Sequence, residues 1–156
     1  MSELSDSILQ PIPLLIGAGC VLLFFLIRYL IRRWRYRPTL IDELEGHEFE
    51  EYCADLLRAN EFTDVTVTRA SGDYGLDILA EKDGITYGVQ CKRYDKPIGI
   101  AAVQQVYAGR DYYGRMVGVV MTNQYFTEAA VKCAGKLNIL LWDRGYLDEM
   151  KISDRN

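Results

Sequence analysis

The chain has 156 residues, 49% hydrophobic and 26% charged, with 18 basic and 22 acidic side chains and a formal net charge of −4. That balance argues against a binder that relies on bulk positive charge. The cysteines at 20, 53, 91 and 133 lie too far apart for a CxxC or zinc pattern, and the single histidine, His47, leaves little for a histidine triad.

The chain opens on an apolar run. Ile12 to Ile27 is sixteen residues without a charge, extendable through Leu30 and Ile31 if Arg28 snorkels. About 20 helical residues at 1.5 Å rise span the roughly 30 Å hydrocarbon layer. A secretory signal would carry its positive charge before the run. Here Glu3 and Asp6 precede it, and Arg28, Arg32, Arg33, Arg35 and Arg37 follow. The positive-inside rule then puts the amino terminus outside and the remainder in the cytoplasm. The expectation is an extracytoplasmic segment 1–11, a single-pass transmembrane helix 12–31 in the cell membrane, and a basic linker 32–40. Tyr29, Trp34 and Tyr36 suit the interfacial aromatic belt. The arginines read as a topology signal that touches anionic lipid heads, or else as phosphate contacts. A buried core helix is the competing reading of the run, but it would hardly begin a chain and end in arginines.

Residues 41–150 are expected to form one α/β domain, followed by a tail at 151–156. Five basic and two acidic residues fall in 1–37, which leaves 38–156 with 13 basic and 20 acidic side chains, net −7. Ile41 to Asn60 carries apolar residues at helical spacing, with Phe49, Cys53 and Leu56 on one stripe and Asp42, Glu43, Glu45, Glu48 and Glu51 as a solvated acidic face. Glu50 falls about 100° round the helix from Phe49, at the border of the buried arc. Glu48 lies at the opposite border and is the weaker candidate. Asp64 to Ala70 alternates Val65 and Val67 against Thr66 and Thr68, the period of a strand.

The next segment carries the chemistry. Asp83-Gly84 is a strong hairpin signal, because a two-residue type I′ turn needs positive φ at both central positions. If they form the turn, strands Leu76–Glu81 and Ile85–Lys92 pair Lys82 with Ile85 and, counting outward, Asp77 with Gln90. Asp77, Gln90 and Lys92 then share one face, while Leu76, Ile78, Val89 and Cys91 point into a core. A carboxylate and an amide oxygen are hard donors suited to Mg²⁺, with Mn²⁺ as the alternative ion. Such an ion would polarise a phosphodiester and acidify a water, while Lys92 neutralises developing charge. Glu50 is the candidate for the further acid this site needs, against the alternative of an ordinary solvated glutamate.

Beyond the hairpin the reading is helix Ile100–Tyr113, strand Met116–Met121, helix Phe126–Leu137 and strand Ile139–Trp142. Arg93 and Gln104 are candidates for contacting substrate, within a basic rim of Lys92, Arg93, Lys96, Arg110 and Arg115. Gln105 shares this reading with Gln104, and a solvated or core-edge amide is the alternative for both.

Gly46-His47-Glu48-Phe49-Glu50, Gly72-Asp73-Tyr74-Gly75-Leu76-Asp77 and Gln90-Cys91-Lys92 together resemble the Mrr-type restriction endonuclease catalytic domain. That family belongs to the PD-(D/E)XK nuclease superfamily, in the variant with Gln for the second acid. Met121 to Ala130 and Leu141-Trp142-Asp143 resemble its closing segments. The resemblance implies an αβββαβ restriction-endonuclease-like core with a trailing αβ addition, and the restriction of foreign DNA. By position it carries the catalytic and metal roles to Asp77, Gln90, Lys92 and Glu50. Asp73 matches the first Asp of the family's DxGxD pattern, or it simply caps its turn. Two-strand cleavage implies a homodimer or two approaching monomers. A catalytically inactive, membrane-tethered binding module on the same fold is the alternative.

Overall fold

The computed structural model describes residues 19–28, 30, 40–68 and 74–153. It divides into two units, residues 1–38 and 39–156. In the first, residues 19–28 are helical. Val21 to Ile27 are seven consecutive apolar side chains, each at least 47% exposed. Among the described residues no helix is long and apolar enough to cross a membrane. Much of the expected span 12–31 lies outside them.

The second unit runs α1 (Leu40–Glu43), α2 (Gly46–Ala59), β1 (Thr63–Val67), β2 (Ile78–Lys82), β3 (Ile85–Lys92), α3 (Ile100–Tyr112), β4 (Val117–Thr122), α4 (Glu128–Leu137), β5 (Ile139–Trp142) and α5 (Arg144–Ser153). The five strands lie in chain order, β1-β2-β3-β4-β5. The first three are antiparallel. β4 and β5 add in parallel, through the helical crossovers that parallel pairing demands.

Both faces of this sheet are buried, which explains the near-continuous apolar run of β4. One face packs Ile78, Val89, Val119 and Met121 against Phe49, Cys53 and Leu57 of α2 and Leu147 of α5. The other packs Val120 and Ile139 against Val103 and Val106 of α3 and Ala130 of α4. Gly118 permits the close seat of α3, because a Cβ there would lie 2.7 Å from a Val106 methyl.

Four sequence expectations change. The helix expected over 41–60 is two helices, broken at Leu44 and Glu45. Glu45 is extended (φ −74, ψ 167), and its N–H donates to the Glu48 carboxylate at 2.8 Å. Glu48 thereby restarts the helix as a cap. Leu76 packs with the α3 face and not with Ile78. Pairing with β3 begins at Ile78, and Tyr74 and Gly75 both have positive φ, so strand alternation does not reach back to Leu76. Helix α5 replaces the expected end of structure: Asp143 Oδ1 accepts the Tyr146 N–H at 3.1 Å, and Leu147 and Met150 are buried. Finally, Asp42 does not belong to a solvated acidic face. It forms an ion pair with Arg144, the two side chains being 11% and 4% exposed. Its other oxygen accepts the Asn123 amide at 2.8 Å, and its carbonyl accepts from Arg93.

This buried pair fastens α1 to the start of α5. Removing one partner strands a buried charge. Asp42→Ala and Arg144→Ala are each expected to lower the unfolding free energy by about 3–5 kcal/mol. Urea denaturation reads this, and the double variant should lose clearly less than the sum of the two.

Candidate active site

Asp83 and Gly84 take φ +53 and +75, the conformation an I′ turn requires. Lys82 pairs with Ile85 and Ile78 with Val89. One step further, the Asp77 N–H donates to the Val89 carbonyl at 2.8 Å. This sets the Asp77 side chain over the next rung of β3. Its Oδ2 accepts the Cys91 backbone N–H at 2.6 Å and also the Gln90 side-chain Nε2. Asp77 and Gln90 are 7% and 4% exposed. A buried carboxylate is tolerable only with such donors. With Nε2 turned to Asp77, the donor-accepting atom Gln90 offers a cation is Oε1.

β3 is the middle strand, so Gln90 and Lys92 are braced from β4 by pairing with Val120 and Thr122. The Thr122 hydroxyl donates to the Lys92 carbonyl at 2.6 Å. Helix α2 supplies Glu50, whose half-buried carboxylate lies 3.5 Å from His47 Nδ1. Asp77, Gln90, Lys92 and Glu50 all line one cleft of about 370 Å³, walled by Tyr74 and Gly75 and by Gln105 and Ala108 of α3.

The electrostatics of the cleft register on Cys91. Burial pushes its thiol well above the ordinary range, the neighbouring Cys53 adds to this, and the fields of Asp77 and Glu50 raise it further. Both carboxylates therefore lie close enough to act on the same thiol.

A family model described as restriction endonuclease, of the Mrr catalytic type, matches residues 41–151. The chain belongs to that family. No curated protein matches it by sequence. Among solved structures it is similar to AF1548, a protein of unknown function, at 24% identity and TM-score 0.54, covering 72% of this chain and 67% of the other. It is similar to the DNA modification-dependent restriction endonuclease AspBHI at 17% identity and TM-score 0.52, covering 69% and 31%. Can2 from Sulfobacillus thermosulfidooxidans, solved with cyclic tetra-adenylate, aligns at 20% identity and TM-score 0.50, covering 71% and 36%. The chain thus spans about a third of the length of the latter two. These likenesses establish the restriction-endonuclease-like fold.

In this Mrr-type domain the oxygen donors at the cleft are two carboxylates and one amide. Hard, oxygen-only donors that leave room for water suit Mg²⁺. Among the described residues no three His, Cys, Asp or Glu side chains gather into a metal-holding group. Asp73 lies outside the described residues. Arg93 turns to Asp95 at 3.1 Å and to the Asp42 carbonyl. Gln104 is exposed and away from the cleft, whereas its neighbour Gln105 lines it. Tyr74 was not singled out from sequence. Its signal was the adjacent Gly75, which lies against α3: a Cβ on Gly75 would meet the Gln105 carbonyl oxygen at 2.7 Å.

That contact separates two glycines of similar φ. Gly84→Ala has open space around its Cβ and bears only the left-handed strain, about 1–2 kcal/mol. Gly75→Ala, at φ +86, meets both strain and clash, and its loss of stability in thermal unfolding is expected to exceed that of Gly84→Ala. The Cys91 thiol gives a pH signature. Its folded pKa lies above the unfolded value, so its contribution is full below about pH 8.5 and is lost as pH rises through and beyond that point. Unfolding free energy measured from pH 7.5 to 10 should fall, less steeply in Cys91→Ala.

Proposed function

We propose that this chain is a Mg²⁺-dependent DNA endonuclease of Mrr restriction type, with its catalytic domain on the cytoplasmic side of the membrane that residues 12–31 enter. The observation that carries the reading is the convergence of Asp77, Gln90, Lys92 and Glu50 on one cleft. Asp77, Glu50 and the Gln90 amide oxygen would hold the ion. Bound there, a divalent cation supplies Lewis-acid charge to the scissile phosphate and acidifies a water.

The chain's own groups do the positioning. The Cys91 N–H and the Gln90 amide fix the orientation of the Asp77 carboxylate before substrate arrives. The Lys92 ammonium donates to a phosphate oxygen and neutralises charge that grows as water oxygen bonds to phosphorus. The P–O bond to the leaving sugar oxygen then breaks, and that oxygen takes up the proton that the water gives up. One such cleft cuts one strand, so a two-strand break needs two copies.

The anchor is supported by the uncharged run from Ile12 to Ile27, the arginines behind it, and the exposed apolar side chains Val21 to Ile27. The net −7 of residues 38–156 favours a second reading, a tethered binding module without activity.

Plasmid cleavage by the detergent-solubilised full chain with Mg²⁺ or Mn²⁺ separates the two. Wild type should nick or linearise plasmid. Asp77→Ala and Lys92→Ala should each reduce the rate by at least about 100-fold with the fold intact. Variants that cut as fast as wild type would sink the assignment, and a wild type that binds but never cuts would support the module. Membrane fractionation tests the anchor, which recovery of the chain in the soluble fraction without detergent would refute.

A further inference from the structure

At the mouth of the cleft stands an aromatic stack. The Tyr74 and Tyr112 rings lie 3.9 Å apart at 22°, and Tyr113 meets Tyr112 edge-on at 5.1 Å. Tyr74 and Tyr112 are 58% and 60% exposed. Tyr74 is also a wall of the cleft that holds Asp77, Gln90 and Lys92. Only Gly75 and Leu76 separate it from Asp77, so their Cα atoms are no more than about 11 Å apart.

The ring is held there at a cost. Tyr74 has φ +44, an uncommon region for a bulky side chain. Such outliers persist where the surroundings force them, and they cluster at functional sites. Here the forcing contacts come from α3: a Cβ on Gly109 would lie 2.7 Å from the Tyr74 carbonyl oxygen, and one on Gly75 as close to the Gln105 carbonyl. The segment therefore lies flat on α3 at two glycines. Neither core cluster includes Tyr74 or Tyr112. Core packing therefore does not explain the arrangement.

We propose that Tyr74, backed by Tyr112, stacks an unpaired base of the strand whose phosphate enters the cleft, so that the preferred substrate is single-stranded or locally unpaired DNA. The inference rests on the nuclease reading of the cleft and names its substrate class. Base–aromatic stacking is tolerant of sequence and independent of phosphate charge. It therefore supplies affinity that an acidic domain cannot draw from electrostatics. A base inside an intact duplex has both faces covered by its neighbours and offers none to Tyr74.

The test reads binding without cleavage. Full-length protein in detergent and EDTA is titrated with a single-stranded oligonucleotide carrying 2-aminopurine, and with the same strand in a blunt duplex. The single strand should be quenched and bound at least about tenfold tighter than the duplex. Tyr74→Asn removes the ring but tolerates the left-handed backbone. It should weaken single-strand binding about tenfold and abolish quenching, while Tyr74→Phe keeps both. Equal affinity for duplex and single strand, or quenching unchanged in Tyr74→Asn, overturns the proposal. Quenching by a chain that never cuts any DNA would overturn the nuclease reading, and with it the substrate class, leaving a single-strand binding site. Cleavage without quenching would overturn the stacking proposal and keep the nuclease reading.

Discussion

A single buried carboxylate organises this domain. The Cys91 N–H and the Gln90 amide both donate to Asp77 Oδ2, across the two strands of one hairpin. A charged group at 7% exposure would be untenable without such donors. With them, it becomes a fixed negative point at the bottom of a cleft. Lys92 follows one residue after Cys91 on the same strand, so the rung that fixes the acid also places the amine.

The rest of the fold serves that rung. β3 occupies the centre of the sheet, and its two flanking strands and two covering layers leave it little freedom to shift. α2 adds Glu50 from above, in a helix whose start is set by the Glu45–Glu48 cap. The ion pair of Asp42 with Arg144, joined by Asn123, ties the chain ahead of α2 to the end of β4 and the start of α5. Polar groups thus brace the domain at one edge, while apolar packing holds the centre. Such a buried pair adds little net stability over well-packed apolar side chains of similar volume.

What was legible in the sequence was what local chemistry decides. Asp83-Gly84 dictates its own turn, and the turn dictates the register of Asp77, Gln90 and Lys92 by counting. The three-dimensional partners were not legible in the same way. Asp42 reads as one of five surface acids until Arg144, more than a hundred residues away, is folded beside it. Gln104 and Gln105 differ by one helical step of about 100°, and sequence alone does not say which of them faces the cleft. Leu76 departs from the alternation its sequence suggests, because Tyr74 and Gly75 both take positive φ just ahead of it. Helix α5 did carry a readable signal, Asp143 ahead of Leu147 and Met150, but it is short and follows a buried strand. The resemblance to the Mrr-type domain, by contrast, rested on segments whose order the family model also follows over residues 41–151.

On the proposed reading, an acidic domain that cleaves DNA gathers its phosphate contacts locally, and two carboxylates and an amide would hold a cation with a lysine beside them. Whether those donors hold an ion decides the nuclease reading. Mn²⁺ binding to the full chain in detergent, followed by electron paramagnetic resonance, tests this without any substrate. A bound ion is expected, with an affinity that falls at least about tenfold in Asp77→Ala and in Gln90→Ala. No Mn²⁺ signal from the folded protein, or one that both substitutions leave unchanged, would contradict that reading.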